Sequence, residues 1–325
     1  MEYNLPWVEK YRPKTLDEII GQDKIINSLK KIFEGGSFPH LLFYGGSGSG
    51  KTSTILSILN DYFGTKKKLM IMRLDASDDR GINSVRDVIK GFAEKKNYFI
   101  KGIKLIILDE ADSMTFDAQF ALRRIIEKYS SNTRFCLICN YDNKIIPAIK
   151  SRCVEFKFNL INKDIMIKYL QTIADKENIL YDINSFKVLY NISKGDLRKA
   201  INIMQSASII KKNNKLVLDT NLCYSVCGYP SSEQINTIIT ILLDKKVSME
   251  DSIYKIQTIV LDNGYSISII LKEIIEELLI MITNHTLDAS KYALIFSELA
   301  NLESKVSKST FSDIYLSMLV SLFKQ

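Results

Sequence analysis

The run Leu41-Leu42-Phe43-Tyr44-Gly45-Gly46-Ser47-Gly48-Ser49-Gly50-Lys51-Thr52-Ser53-Thr54 constrains this chain more than any other stretch. Four apolar residues predict a buried strand, the glycine-rich segment a turn, and Lys51-Thr52 the start of a helix. Gly45, Gly50, Lys51 and Thr52 complete the pattern G-x-x-x-x-G-K-[ST] in the strand–loop–helix setting that gives the pattern its meaning. Glycines let the backbone curl, so the N–H groups from Gly45 through Gly46, Ser47, Gly48, Ser49 and Gly50 can converge on phosphate oxygens. The start of the helix, with Ser53 in its first turn, adds a partial positive charge at the same point. Lys51 is expected to reach the β- and γ-phosphates of ATP, and the Thr52 hydroxyl to hold Mg²⁺.

Length and composition narrow the setting. With 325 residues the chain has room for two or three domains. Its opening, Met1-Glu2-Tyr3-Asn4-Leu5-Pro6-Trp7, is polar and interrupted, and its greasiest stretch, 269–282, carries Lys272, Glu273, Glu276 and Glu277. Neither a signal peptide nor a membrane span is expected. Cys136 and Cys139 form a C-x-x-C, but within the strand-like Arg134-Phe135-Cys136-Leu137-Ile138-Cys139. Side chains three apart on a strand point to opposite faces, so they are expected as free thiols rather than zinc ligands. From Ser231 onward eight Lys face twelve Asp/Glu, which leaves +11 on the portion before it. That balance suits a polyanionic partner, although the chain's richness in Ile, Lys and Asn offers a compositional explanation of equal standing.

A second apolar run, Lys104-Leu105-Ile106-Ile107-Leu108, ends in Asp109-Glu110-Ala111-Asp112. Two adjacent carboxylates at a strand end, about sixty residues after the phosphate loop, fit metal assistance by Asp109 and polarisation of an attacking water by Glu110. The letters D-E-A-D also raise a DEAD-box helicase. The Ser-Ala-Thr run of those enzymes is missing here.

Further stretches resolve that choice. They are Trp7-Val8-Glu9-Lys10-Tyr11-Arg12-Pro13 with Ile19-Ile20-Gly21-Gln22; Ala76-Ser77-Asp78-Asp79-Arg80-Gly81-Ile82; Ser151-Arg152-Cys153; Gly195-Asp196-Leu197-Arg198; and Cys227-Gly228-Tyr229-Pro230. Together with the phosphate loop and the carboxylate pair, they resemble the replication factor C (clamp-loader) small subunits of the AAA+ ATPase family. The likeness is greatest to the type numbered 3 in yeast and 5 in humans, and it extends over essentially the whole chain. It implies an α/β AAA+ fold: a phosphate loop on a parallel five-stranded sheet with flanking helices, then a helical lid and an all-α collar. The implied domains are 1–160 (RecA-like ATPase), 161–229 (lid) and 230–325 (oligomerising collar).

The resemblance also implies roles. Val8, Tyr11, Arg12, Pro13 and Ile20 would border adenine. Asn140, after the strand ending at Cys139, would orient the hydrolytic water, and Arg198 would touch the γ-phosphate from the lid. Arg152 would act in trans on a neighbouring subunit's nucleotide. Arg80, Arg86 and Lys90 would contact DNA phosphates, and the helix bearing Arg123 and Arg124 would lie at a subunit boundary. The implied cofactors are ATP and Mg²⁺. The implied partners are four other replication factor C subunits in a heteropentamer, the sliding clamp PCNA and primer–template DNA, with alternative large subunits as a further possibility, in the nucleus. Relatives carry prolines where Gly46 and Ser47 stand and Thr where Ser49 stands, so a more flexible empty loop and a weaker hold on nucleotide are expected. The competing functional reading is an ATP-binding scaffold with little hydrolysis, against which Asp109, Glu110, Asn140 and Arg198 argue.

Overall fold

The computed structural model describes residues 5–36, 38–64, 70–76, 81–95, 103–209, 211–212, 215–285, 287, 289–306 and 313–324. The chain divides into two compact units, Met1–Gln205 and Ser206–Gln325.

The first unit is built on a five-stranded parallel sheet. Its strands are β1 (His40–Gly45), β2 (Ile71–Asp75), β3 (Lys104–Asp109), β4 (Thr133–Cys139) and β5 (Cys153–Phe158), in the order β2-β3-β4-β1-β5. β1 pairs Leu41–Tyr44 with Cys136–Cys139 of β4 on one side and His40–Gly45 with Cys153–Phe158 of β5 on the other. Leu41, Phe43, Leu105, Ile107, Cys136 and Ile138 point into one core, packed beneath the helices Asp23–Glu34 and Lys51–Ile58. Leu42, Ile106, Leu108, Phe135, Leu137 and Cys139 point into a second, beneath the helices Gly81–Glu94 and Phe116–Tyr129. The two-residue period thus buries both faces of the central strands, as parallel sheets require. Cys136 and Cys139 fall into different cores as free thiols, and no metal-holding cluster occurs among the described residues.

Three local features refine what the sequence pattern suggests. The apolar run 69–74 reads as a buried strand, but Ile71–Asp75 forms β2 at the sheet edge, where it is largely half-exposed; Leu69 lies outside the described residues. The helix that begins at Lys51 is α-helical to Ile58 and runs on as a π turn through Phe63. The portion after Asn162, expected to be wholly helical, also contains the short strands Leu180–Tyr181, Lys211–Lys212 and Lys215–Leu218.

Three helices follow the sheet. Lys163–Lys176 starts at Asn162, whose side chain accepts from the Asp164 N–H, and Ile183–Ser193 starts at Asp182, which accepts from Asn184. Such caps satisfy N–H groups that have no partner within the helix. The third, Leu197–Ser208, follows the turn at Gly195.

The second unit is mainly helical. In its helix Ile267–Thr283 the buried stripe is Ile267, Ile270, Leu271, Ile274 and Leu278. Leu279 continues the apolar spacing of that stripe and Ile280 stands outside it, and both lie half-exposed. In Asp313–Phe323, Leu316, Leu319 and Val320 are buried, whereas Ile314 is exposed. No helix among the described residues is long and apolar enough to cross a membrane.

Candidate active site

The C-terminal ends of the parallel strands converge on a cleft of about 380 Å³ within the first unit. Clefts of this kind form where helices lie on opposite faces of neighbouring strands. β1 delivers the phosphate loop. Gly45 has φ +142°, and a Cβ there would lie 2.0 Å from the Phe158 carbonyl oxygen of β5. Gly48 has φ +65°, and its Cβ would meet Asp196 Oδ1 at 1.9 Å. Both positions need glycine for backbone conformation and for space. The Ser49 hydroxyl donates to the Gly46 carbonyl at 2.8 Å and braces the loop. Gln22, buried, donates to the Ser49 and Asn159 carbonyls at 3.2 and 2.7 Å, fastening the loop from the outside.

Lys51 is buried and its ammonium donates to three oxygens: the Gly45 and Gly46 carbonyls at 2.7 and 2.8 Å, and Asn140 Oδ1 at 3.0 Å. Burial lowers its pKa; Cys139, Asp109 and Asp112 oppose the shift and Arg198 adds to it. Asp109 closes β3. Its Oδ2 lies 3.4 Å from the Thr52 hydroxyl and 3.0 Å from the Arg73 guanidinium. Glu110 follows in the left-handed region (φ 53°) at the cleft, a conformation that costs a non-glycine residue about 1–3 kcal/mol and concentrates at functional sites. Asp112 Oδ2 accepts the N–H groups of Asn140 and Tyr141, both at 3.2 Å, and so fixes the turn that presents Asn140.

Of the residues singled out in the sequence, Val8, Tyr11, Arg12, Pro13, Ile20, Ser47, Gly48, Ser49, Gly50, Lys51, Thr52, Ser53, Asp109, Glu110, Asn140 and Arg198 line this one cleft. Gly45 and Gly46 stand behind it as acceptors for Lys51. The aromatic arm is tied down: the Tyr11 hydroxyl donates to Glu177 at 2.6 Å, Lys10 pairs with the same carboxylate at 2.6 Å, and the Tyr169 hydroxyl donates to the Tyr11 carbonyl at 2.8 Å. Burial, then the Glu177 contact, pushes the Tyr11 phenol above its usual range.

Arg152 is not in the cleft. It pairs with Glu127, which also pairs with Arg123 at 3.2 Å, and it donates to the Ala148 carbonyl at 2.6 Å. Lys90 is exposed on the helix Gly81–Glu94; Arg80 and the side chain of Arg86 lie outside the described residues.

Sequence reasoning missed Arg73, Asp75, Ile161, Tyr169, Leu197 and Ile201, which also line the cleft. The last four sit on or beside helices that return to the cleft through tertiary packing. Only Arg73 and Asp75 carried a signal, as charges at the end of a strand-like run.

The comparisons agree with this geometry. The family model for the ATPase family associated with various cellular activities (AAA) matches residues 41–160. Replication factor C subunit 5 of Homo sapiens is 38% identical over 323 residues, 99% of this chain and 92% of that protein. This chain belongs to the replication factor C small-subunit family. It is therefore an AAA+ ATPase, a nucleotide-binding replication protein of the kind that works within a multi-subunit clamp loader. Replication factor C subunit 3 of Saccharomyces cerevisiae is 43% identical over 74% of this chain and 71% of that protein, which fits the type expected from the sequence. The Thermotoga maritima RuvB Holliday junction branch migration motor shares the fold, with a TM-score of 0.55 at 15% identity, over 79% of this chain and 86% of that one. The helicase alternative is not favoured: among the described residues there is a single five-stranded parallel sheet and no second RecA-like one.

Proposed function

We propose that this chain binds and hydrolyses ATP within a nuclear heteropentamer of replication factor C subunits that opens the clamp PCNA and places it on primer–template DNA in replication and repair. The observation that carries the reading is a partition. Phosphate loop, carboxylates, sensor Asn140 and lid Arg198 share one cleft, while Arg152 lies outside it. A site that holds every element except an arginine finger is suited to completion by a neighbour.

In this reading the Gly45–Gly50 backbone and Lys51 hold the β- and γ-phosphates, and the aromatic arm holds the base. The Thr52 hydroxyl and the Asp109 carboxylate are hard oxygen donors facing each other across 3.4 Å, a donor set that fits Mg²⁺. When bound, Mg²⁺ would neutralise charge on the phosphate oxygens. Glu110 takes a proton from the attacking water, Asn140 orients that water, and Arg198 senses the γ-phosphate from the lid. Arg152 serves the adjacent subunit. Lys90, with Arg80 and Arg86, positions the duplex through phosphate contacts that carry no sequence information. ATP thereby acts as a switch between ring shapes of different nucleotide affinity. The functional division runs 1–160, 161–229 and 230–325, with the exposed apolar positions of the last part available to other subunits.

The test is purification of the endogenous complex under gentle, ATP-containing conditions, with native mass determined and each subunit identified. One copy of this chain with four different chains, active in loading PCNA onto primed DNA, is the expected result. A homohexamer or a lone monomer overturns the proposal.

A further inference from the structure

The phosphate-site carboxylate has a partner that none of the roles above uses. β2 and β3 run parallel with Asp75 opposite Asp109, so Arg73, two residues earlier on the same face, reaches forward along the strand. Its guanidinium meets Asp109 Oδ2 at 3.0 Å, the oxygen that faces the Thr52 hydroxyl at 3.4 Å. Asp109 is the more enclosed of the pair, its side chain 17% exposed against 48% for Arg73. Asp75 and Glu110 line the same cleft. A mouth rich in carboxylates thus has a cation placed on the Asp109 oxygen that faces Thr52.

We propose that Arg73 is a positioning residue that clasps Asp109 in the nucleotide-free subunit and sets the metal dependence of nucleotide binding. The inference rests on the site reading above. A guanidinium on Asp109 Oδ2 draws on the lone pairs a metal would use and repels the incoming dication. An arriving triphosphate offers the same guanidinium a more highly charged partner. Arg73 therefore opposes the metal at Asp109 and supports phosphate in the metal's absence, so the clasp is released when nucleotide and metal enter together. The specificity it confers is for the metal–nucleotide complex over the free ion.

The test uses the full-length isolated chain and the methylanthraniloyl derivative of ATPγS, with binding followed by fluorescence from EDTA through millimolar Mg²⁺. For Arg73→Gln the half-saturating free Mg²⁺ concentration is expected to fall at least about threefold, the scale of one partly exposed ion pair. Metal-free affinity for the analogue is expected to weaken by a similar factor. Arg73→Lys, which keeps the charge, is expected to bring both quantities back toward the wild-type values. Arg73→Met gives the same readout should Arg73→Gln fail to fold. A neutral variant in which neither quantity moves, or a lysine variant that shifts as far as the neutral one, overturns the proposal. Wild-type protein that does not bind the analogue at any Mg²⁺ concentration overturns the site reading itself.

Discussion

Gly48 and Glu110 show how little latitude single positions of the cleft have. A methyl group at Gly48 collides with Asp196, and the φ there already disfavours an L side chain. Gly48→Ala is expected to cost about 1–3 kcal/mol and to weaken nucleotide binding, measured together by urea denaturation and by titration with a fluorescent ATP analogue. Glu110 is different, being exposed. Glu110→Gln keeps its shape and removes its basicity. ATP turnover by the assembled complex is expected to fall about 100-fold or more if this site dominates the rate, with nucleotide still bound. Unchanged turnover would favour the scaffold alternative. Both residues were legible in the sequence, because the phosphate loop and the paired carboxylates are local patterns. The reason Gly48 must be glycine was not, since Asp196 approaches from well over a hundred residues away.

β1 and β4 hold the cleft in place, and His40 marks where they join. Its Nδ1 accepts the Phe135 N–H at 3.1 Å, which requires the neutral imidazole. Burial, aided by the Arg134 charge, lowers its pKa to about 4. An unfolded chain protonates this histidine near pH 6.5, so between about pH 6.5 and about pH 4 the unfolded state binds more protons than the folded one. Stability is therefore expected to fall as pH drops through that window. His40→Gln is expected to flatten the dependence, as read from urea midpoints between pH 4 and 7. At the other end of β4, Asp112 accepts two backbone N–H groups and fixes Asn140. Asp112→Ala is expected to reduce turnover while leaving nucleotide affinity largely intact, measured by steady-state ATPase of the complex alongside equilibrium binding. The strands β1, β3 and β4 could be read from apolar runs. The edge position of β2 could not, because strand order arises from pairing between distant segments.

The placement of Arg152 bears on the assembly as a whole. In the isolated chain it is paired with Glu127 and stands apart from the cleft formed by the same chain. Arg152→Ala is accordingly expected to leave nucleotide binding by this subunit unchanged and to lower ATP turnover in the assembled complex by the contribution of one neighbouring site. Single-site measurements with phosphate-loop variants of the other subunits would locate that site. The helical second unit offers Leu279, Ile280 and Ile314 at its surface. Periodicity alone does not separate Leu279 and Ile314 from their buried neighbours, because hydrophobicity does not distinguish a core contact from a contact with another chain.

Local chemistry determined much from sequence. A glycine-rich turn before Lys51-Thr52, carboxylates after an apolar run, and caps before helices act through backbone geometry within a few residues, so their order along the chain is enough to reveal them. What depends on distant segments meeting was decided only in the folded molecule. Folding set the clasp of Arg73 on Asp109 and the fastening of the phosphate loop by Gln22. It also set the exclusion of Arg152 from its own cleft. Each of these follows from strand order and helix packing, which bring together side chains that no spacing in the sequence places side by side.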